Sequence, residues 1–358
     1  MNTTPSPDAI AGCLLGTAVG DALGLPAEGL PPARLRRLLP DLTRHRFLAG
    51  RGMVSDDTEH ACMVAQALIA SAGDPQRFAR HLAGELKRWL LAVPAGAGLA
   101  TLRATLRLLG GIGPDRSGVF SAGNGPAMRA PLLGVCFGAD PERLRQLVRA
   151  WTRLTHTNPK AETGALAVAL AAYLASRHEA VAPERYLREL RCLLGSVDEA
   201  PELVERLEKA AAGAERGESP AEFAAAMGWE RRGVGGYIYE TVPAVLQCWF
   251  RHGRDFRTVV PAMIAAGGDT DTTAAILGGI VGAGVGTAGI PAEWIDGLRE
   301  WPRSVAWMER LTSRLADVIA RGEPQPPLPV PFPAVALRNL LFLGAVLYHG
   351  LRRLLPPY

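Results

Sequence analysis

Apolar positions recur at helical spacing along nearly the whole chain. Residues 59–71 place Ala61, Met63, Val64, Ala67 and Leu68 toward a core. Amphipathic patterns over 75–91, 98–109 and 141–153 predict three further helices. Residues 162–176 are apolar almost throughout, which predicts a buried helix. Residues 183–192 and 202–214 carry many charges and read as solvent-facing helices. Further helical runs cover 241–249, 256–266 and 305–320, and a short basic one covers 31–39. No stretch alternates with period two between turn residues, so the chain is predicted to be all-α.

Two segments depart from the ordinary amphipathic pattern. In residues 10–25, Gly12, Gly16 and Gly20 recur every four positions. On a helix they line one face and let another backbone approach closely. Asp21 interrupts this apolar run. Burial of its charge is costly without partners, which predicts a structural hydrogen bond. The second departure is the tail. Residues 323–333 hold six prolines in eleven positions and read as an extended, polyproline-type spacer. The apolar run 334–358 that follows is predicted to be an amphipathic helix. Arg338, Asn339, His349, Arg352 and Arg353 fall in one arc of roughly 140° at about 100° per residue. Its uninterrupted apolar core is too short to span a bilayer. It is expected to pack on its own domain or on a second subunit in preference to a membrane surface.

Composition narrows the picture. The chain has 358 residues, 48% hydrophobic but only 6% aromatic, so its apolar mass is Ala, Leu and Val. That supports helices. A net charge of +4 with mixed signs gives no reason to expect a stable nucleic-acid complex. The five cysteines are scattered without metal-ligand spacing, and residues 1–8 lack a basic leader. Both point to the cytoplasm.

Candidate chemistry sits at two helix starts. Gly267-Gly268-Asp269-Thr270-Asp271-Thr272-Thr273 opens an apolar, small-residue run, and Ser55-Asp56-Asp57-Thr58-Glu59 opens another. Asp, Ser and Thr are preferred N-caps, and Asp56 with Glu59 has capping-box spacing. One carboxylate suffices to cap, however, and crowded carboxylates repel unless a cation lies between them. Oxygen donors of these types suit magnesium, manganese or calcium rather than zinc. The expectation is that the fold brings the two starts together around divalent cations. Glu28, in the loop Pro26-Ala27-Glu28-Gly29, is either a solvated acid or a mobile group over a site. The glycine-rich stretch 121–129 is either a turn or an anion-binding loop, and lacks the Lys-Ser/Thr of a P-loop. His156 is either a ligand neighbour or a buried structural residue, and His60 either lines the site or faces solvent. Residues 233–236 read as a flexible joint.

Taken together the motifs resemble those of the ADP-ribosylglycohydrolases, especially the bacterial type that activates dinitrogenase reductase. They are Gly12-Cys13-Leu14-Leu15-Gly16 with Gly20-Asp21-Ala22-Leu23-Gly24 and Glu28; Ser55-Asp56-Asp57-Thr58-Glu59; Gly123-Asn124-Gly125 with Met128-Arg129; Thr155-His156; Gly236-Tyr237 with Glu240-Thr241; and Gly267 to Thr272, in that order. The resemblance implies a single compact all-α domain over 1–322 with a central cleft for two Mg2+ or Mn2+ ions. By position, Ser55, Asp56 and Asp57 would supply one set of ligands and Asp269, Asp271 and Thr272 the other. Ser121, Gly123, Asn124, Gly125 and Met128 would hold the diphosphate and distal ribose, with His156 alongside. The implied activity is release of ADP-ribose from a modified protein or small molecule. Asp56 or Asp57 would act as base, with Glu28 as competitor. Ser55 stands for the usual Thr, Ala122 for an aromatic residue of some relatives, and Thr273 for a common Asn. The alternatives are a non-catalytic ADP-ribose binder and a glycohydrolase of another nucleotide-like glycoside.

Overall fold

Two glycine-spaced helices, Pro7–Gly24 and Thr270–Val285, run antiparallel through the centre with their backbones in contact. A Cβ built on Gly12 would stand 2.3 Å from the Gly282 carbonyl oxygen, and one on Gly16 2.2 Å from that of Gly278. On Gly20 it would stand 2.0 Å from the Ala274 oxygen, and on Gly24 2.3 Å from the Thr270 oxygen. No side chain fits at these four positions without driving the helices apart. The repeat read from Gly12, Gly16 and Gly20 therefore runs one step further, to Gly24. That last step is locked by the Thr270 hydroxyl, which donates to the Gly24 carbonyl at 2.9 Å. The glycine stripe thus sets the start of the Thr270 helix against the loop that carries Glu28.

The computed structural model describes residues 4–178 and 180–353, which form seventeen α-helices with isolated β-bridges and no sheet. The all-α prediction holds. The Asp56–Ser71 helix joins the central pair through Asp21. Both oxygens of this buried carboxylate accept from the Ser55 N–H at 2.9 Å, and one accepts from the Thr58 hydroxyl at 2.5 Å. Asp21 is the structural acceptor that its place in an apolar helix predicted. Helices Pro183–Leu194 and Ala200–Glu215 expose their charges but fully bury Leu190, Leu203 and Leu207. Helix Pro220–Ala226, absent from the sequence reading, carries a Ser219–Glu222 capping box.

The tail behaves differently from a free spacer. The proline segment is extended, but it is strapped to the Asp56–Ser71 helix. Gln325 N–H donates to the Ile69 carbonyl at 2.9 Å. Leu328 exchanges two bonds with the Gln66 amide, at 2.6 and 2.8 Å. The terminal helix starts slightly earlier than predicted and covers Phe332–Arg352. The last part of the predicted segment, 354–358, lies outside the described residues, as do residues 1–3.

Candidate active site

Three loops cross at Gly268. Gly267 and Gly268 have φ of +68° and +85°, a conformation that favours glycine. On one side Gly268 N–H donates to the Leu30 carbonyl at 2.9 Å and Gly29 N–H to the Gly268 carbonyl at 2.8 Å. On the other, Asp269 N–H donates to the Val234 carbonyl at 2.8 Å, and Val234 N–H to the Gly267 carbonyl at 3.1 Å. Residues 233–236, read from sequence as a flexible joint, are instead a clamp. The crossing brings Asp269 close enough for its charge to reach the Glu28 carboxyl.

The two acidic helix starts meet directly. Ser55, not Asp56, is the N-cap of the Asp56–Ser71 helix, accepting from Asp57 N–H at 3.2 Å. Its hydroxyl donates to Asp57 Oδ2 at 3.1 Å, and Thr272 Oγ1 donates to the same oxygen at 3.1 Å. That bond joins residues 215 apart in sequence. Asp269 holds the N-cap position of the Thr270 helix, yet its side chain does not cap. Its Oδ2 accepts from Asn124 Nδ2 at 2.7 Å, and the same amide donates to Thr241 Oγ1 at 3.0 Å. Asp57 Oδ1 and Asp271 Oδ1 are buried with no hydrogen-bond partner.

These acids stand in a strained electrostatic balance. Burial, then the fields of neighbouring carboxylates, pushes Asp56 up to about 8 and holds Asp57 and Asp271 well above the usual carboxylate range. Burial alone takes Asp21 to about 7 against its four hydrogen bonds. Glu28 is raised by the cleft wall and by Asp269, while Arg353 pulls it back. The cation whose field reaches Asp56 and Asp57 is Arg129, fully buried with its guanidinium 3.8 Å over the Trp151 ring. Desolvation brings it down to about 9.

Glu59 does not complete a capping box. Its carboxylate turns away from the helix start and accepts from Trp89 Nε1 at 2.7 Å and Arg303 Nη1 at 2.8 Å. His60 neither lines the cleft nor faces solvent. It is buried edge-on to Trp89, and its Nδ1 accepts from Arg129. His156 is buried as well, with Nδ1 on the Thr155 hydroxyl at 2.8 Å. Burial drops it to about 3, so its imidazole is neutral. It lies against the 121–129 loop: Cβ atoms added to Gly123 and Gly125 would stand 3.2 and 3.0 Å from its ring. Asn124 N–H, donating to the Gly236 carbonyl at 2.9 Å, ties that loop to the clamp.

A cleft of about 570 Å³ collects these parts. Glu28, Asp56, Asp269, Asp271 and Thr272 line it, as do Ser121, Gly123, Asn124, Gly125, Met128 and His156. Ser55 and Asp57 lie buried behind that lining. Sequence reading missed Thr101 and Arg232, which also face the cleft. Arg232 is paired at 2.7 Å with Glu240, which the sequence motif did include, whereas nothing in the local sequence marked Arg232 or Thr101.

Hard divalent cations fit this donor set. Among the described residues no three His, Cys, Asp or Glu side chains already stand in ion-holding geometry. The test is instead the unsatisfied chemistry. Two buried carboxylate oxygens lack donors, hydroxyls stand beside them, and Asp57 is raised by burial and then by the charges of Asp56, Asp21 and Asp269. Oxygen-only donors of this kind exclude soft metals.

The chain is similar to known proteins along most of its length. A family model for ADP-ribosylglycohydrolase matches residues 2–325. ADP-ribosylhydrolase ARH3 of Gallus gallus is 27% identical over 337 residues, covering 81% of this chain and 89% of its own. The ADP-ribosyl-[dinitrogen reductase] glycohydrolase of Rhodospirillum rubrum is 26% identical over 301 residues, covering 81% and 90%. A protein of Archaeoglobus fulgidus is 32% identical over 317 residues, covering 86% and 96%. A solved ADP-ribosylglycohydrolase-related protein complex superposes with a TM-score of 0.61 at 28% identity, covering 87% of this chain and 98% of that one.

Proposed function

The chain belongs to the ADP-ribosylglycohydrolase family, and from that premise we propose that its cleft hydrolyses an ADP-ribosyl glycosidic bond with the help of hard divalent cations. The product is free ADP-ribose, released from a modified protein side chain or a small molecule. The observation that carries the cation requirement is the pair of orphaned, buried oxygens, Asp57 Oδ1 and Asp271 Oδ1, on helix starts joined by the Thr272–Asp57 hydrogen bond. Two such oxygens, amid other carboxylates, call for a cation or an equivalent partner.

Ser55, Asp56 and Asp57 would hold a cation on one side, and Asp269, Asp271 and Thr272 on the other. When bound, such ions supply positive charge that grips a ribose diol and acidifies a water molecule. The protein's own groups do the rest. Asp57 is committed through Oδ2 to Ser55 and Thr272, so it positions rather than moves. Of the carboxylates that line the cleft, Asp56 and Glu28 are the candidates to take a proton from water. Without cations both carboxyls hold a proton more readily than an ordinary carboxylate, and a bound cation would favour their ionised, proton-accepting form. Asn124, held by Asp269 and Thr241, and the glycines beside His156 form the wall for the remainder of the ligand. Cleavage passes through an oxocarbenium-like state, which buried carboxylates stabilise.

The experiment is release of ADP-ribose from arginine-, serine- and nucleic-acid-linked substrates, with magnesium or manganese and with chelator. Release on at least one linkage that falls to background in chelator is expected. Undiminished release in chelator, or tight ADP-ribose binding without turnover on any linkage, would sink the proposal.

A further inference from the structure

The terminal helix Phe332–Arg352 turns Val335, Arg338, Asn339 and Phe342 against the protein and leaves a run of leucines toward solvent. Arg338 is buried and donates to Glu300 at 2.7 and 2.8 Å and to the Val54 carbonyl at 2.5 Å. Asn339 Nδ2 donates to the Ala92 carbonyl at 2.9 Å. His349 stacks on Phe47, with ring centroids 5.0 Å apart. These inward contacts leave Leu337, Leu340, Leu341, Leu347, Tyr348 and Leu351 exposed, Leu340 at 61% and Leu351 at 64%. Steps of three and four place them on a single stripe. Among the described residues two helices are long and apolar enough to cross a membrane, but the N-terminal one is 94% buried along its apolar stretch and this one only 22%.

Charge identifies what covers the stripe. Residues 324–353 contain no Asp or Glu. The neighbouring segment 29–55, joined to the helix through Phe47, holds six arginines against one aspartate, in a chain whose net charge is only +4. Arg36, Arg44, Arg46, Arg51 and Arg352 are exposed. We propose that this face docks on an anionic lipid surface. The helix lies in the membrane plane, its leucines below the headgroups and the arginines among the phosphates. A second copy complements the stripe poorly, because a two-fold interface would set two arginine-rich faces together, each with Asp41 as its one acid, already paired with Arg44 and Arg46. Spanning is excluded by Arg338 and Asn339, which are tied to the domain. The inference is independent of the reaction proposed above.

The test is flotation of the full-length protein with two kinds of vesicle. One is pure phosphatidylcholine and the other is equal parts phosphatidylcholine and phosphatidylglycerol. Binding is expected to the second only, and to weaken as salt is raised. Leu340→Glu with Leu347→Glu should lower the partition coefficient by roughly a hundredfold. Circular dichroism and hydrolysis of soluble substrate should be unchanged in this variant. Equal partition of the double variant and the unaltered protein overturns the proposal, as does equal binding to both vesicles. Sedimentation velocity showing a dimer that Leu340→Glu dissociates also overturns it, assigning the face to a second copy.

Discussion

Replacing Asp57 by Asn should separate the stability of the metal-free protein from its activity. Asp57 is buried, and burial followed by Asp56, Asp21 and Asp269 holds its carboxyl well above the unfolded value of 3.8. A raised acid binds a proton in the folded chain that the unfolded chain has released. Stability therefore falls as pH rises from about the unfolded value toward the folded one. For Asp21 and Asp56 that window closes at about 7 and about 8. Within it, each such proton contributes a slope of about 1.4 kcal/mol per pH unit. Asp57→Asn removes one of these protons, and the amide still accepts from Ser55 and Thr272. The slope should fall by about 1.4 kcal/mol per pH unit, leaving the variant more stable than the unaltered protein at pH 7 in chelator. Urea unfolding at several pH values between 5 and 7 with chelator measures it. Added magnesium should reverse the order, because it stabilises only the chain that binds it. Identical slopes, or a variant less stable at pH 7 in chelator, would refute the picture of an acid cluster awaiting cations.

The other predictions test the frame around the site. Gly20→Ala puts a methyl group 2.0 Å from the Ala274 carbonyl, backbone against backbone, and should cost at least about 3 kcal/mol by thermal unfolding. Gly344→Ala meets nothing within 4 Å and should gain about 0.5–1 kcal/mol, the ordinary helix preference; a loss would mean the exposed face is already covered. Arg338→Ala strands the buried Glu300 carboxylate and should cost about 3–5 kcal/mol, with Arg338→Met plus Glu300→Gln recovering most of it. Asn124→Ala removes the amide that links Asp269 to Thr241, and should lower kcat/KM by roughly ten- to a hundredfold while thermal unfolding shifts little.

What sequence made legible here follows from which interactions are local. Helix existence was readable because periodicity and caps lie within a few residues. Asp21 was readable because a charge in an apolar run must find donors. The acid clusters were readable because two carboxylates exceed what one N-cap needs. The clamp at 233–236 was not, because glycine spacing looks the same whether a segment bends freely or lets a second backbone in. Only the Gly267–Gly268 turn, far along the chain, decides it. The terminal helix shows the same limit more sharply. Its polar arc was placed correctly at Arg338, Asn339 and His349, but a helical wheel does not say which arc faces inward. The usual assumption, apolar side in, fails because Glu300 and the Val54 and Ala92 carbonyls are buried acceptors that only polar side chains satisfy. Orientation of an amphipathic helix is set by the chemistry of the surface it meets. Here that surface demands donors at Glu300, Val54 and Ala92 and offers apolar cover only beside Leu25, Phe47 and Met53, which Phe342 fills, so the leucines are left facing out.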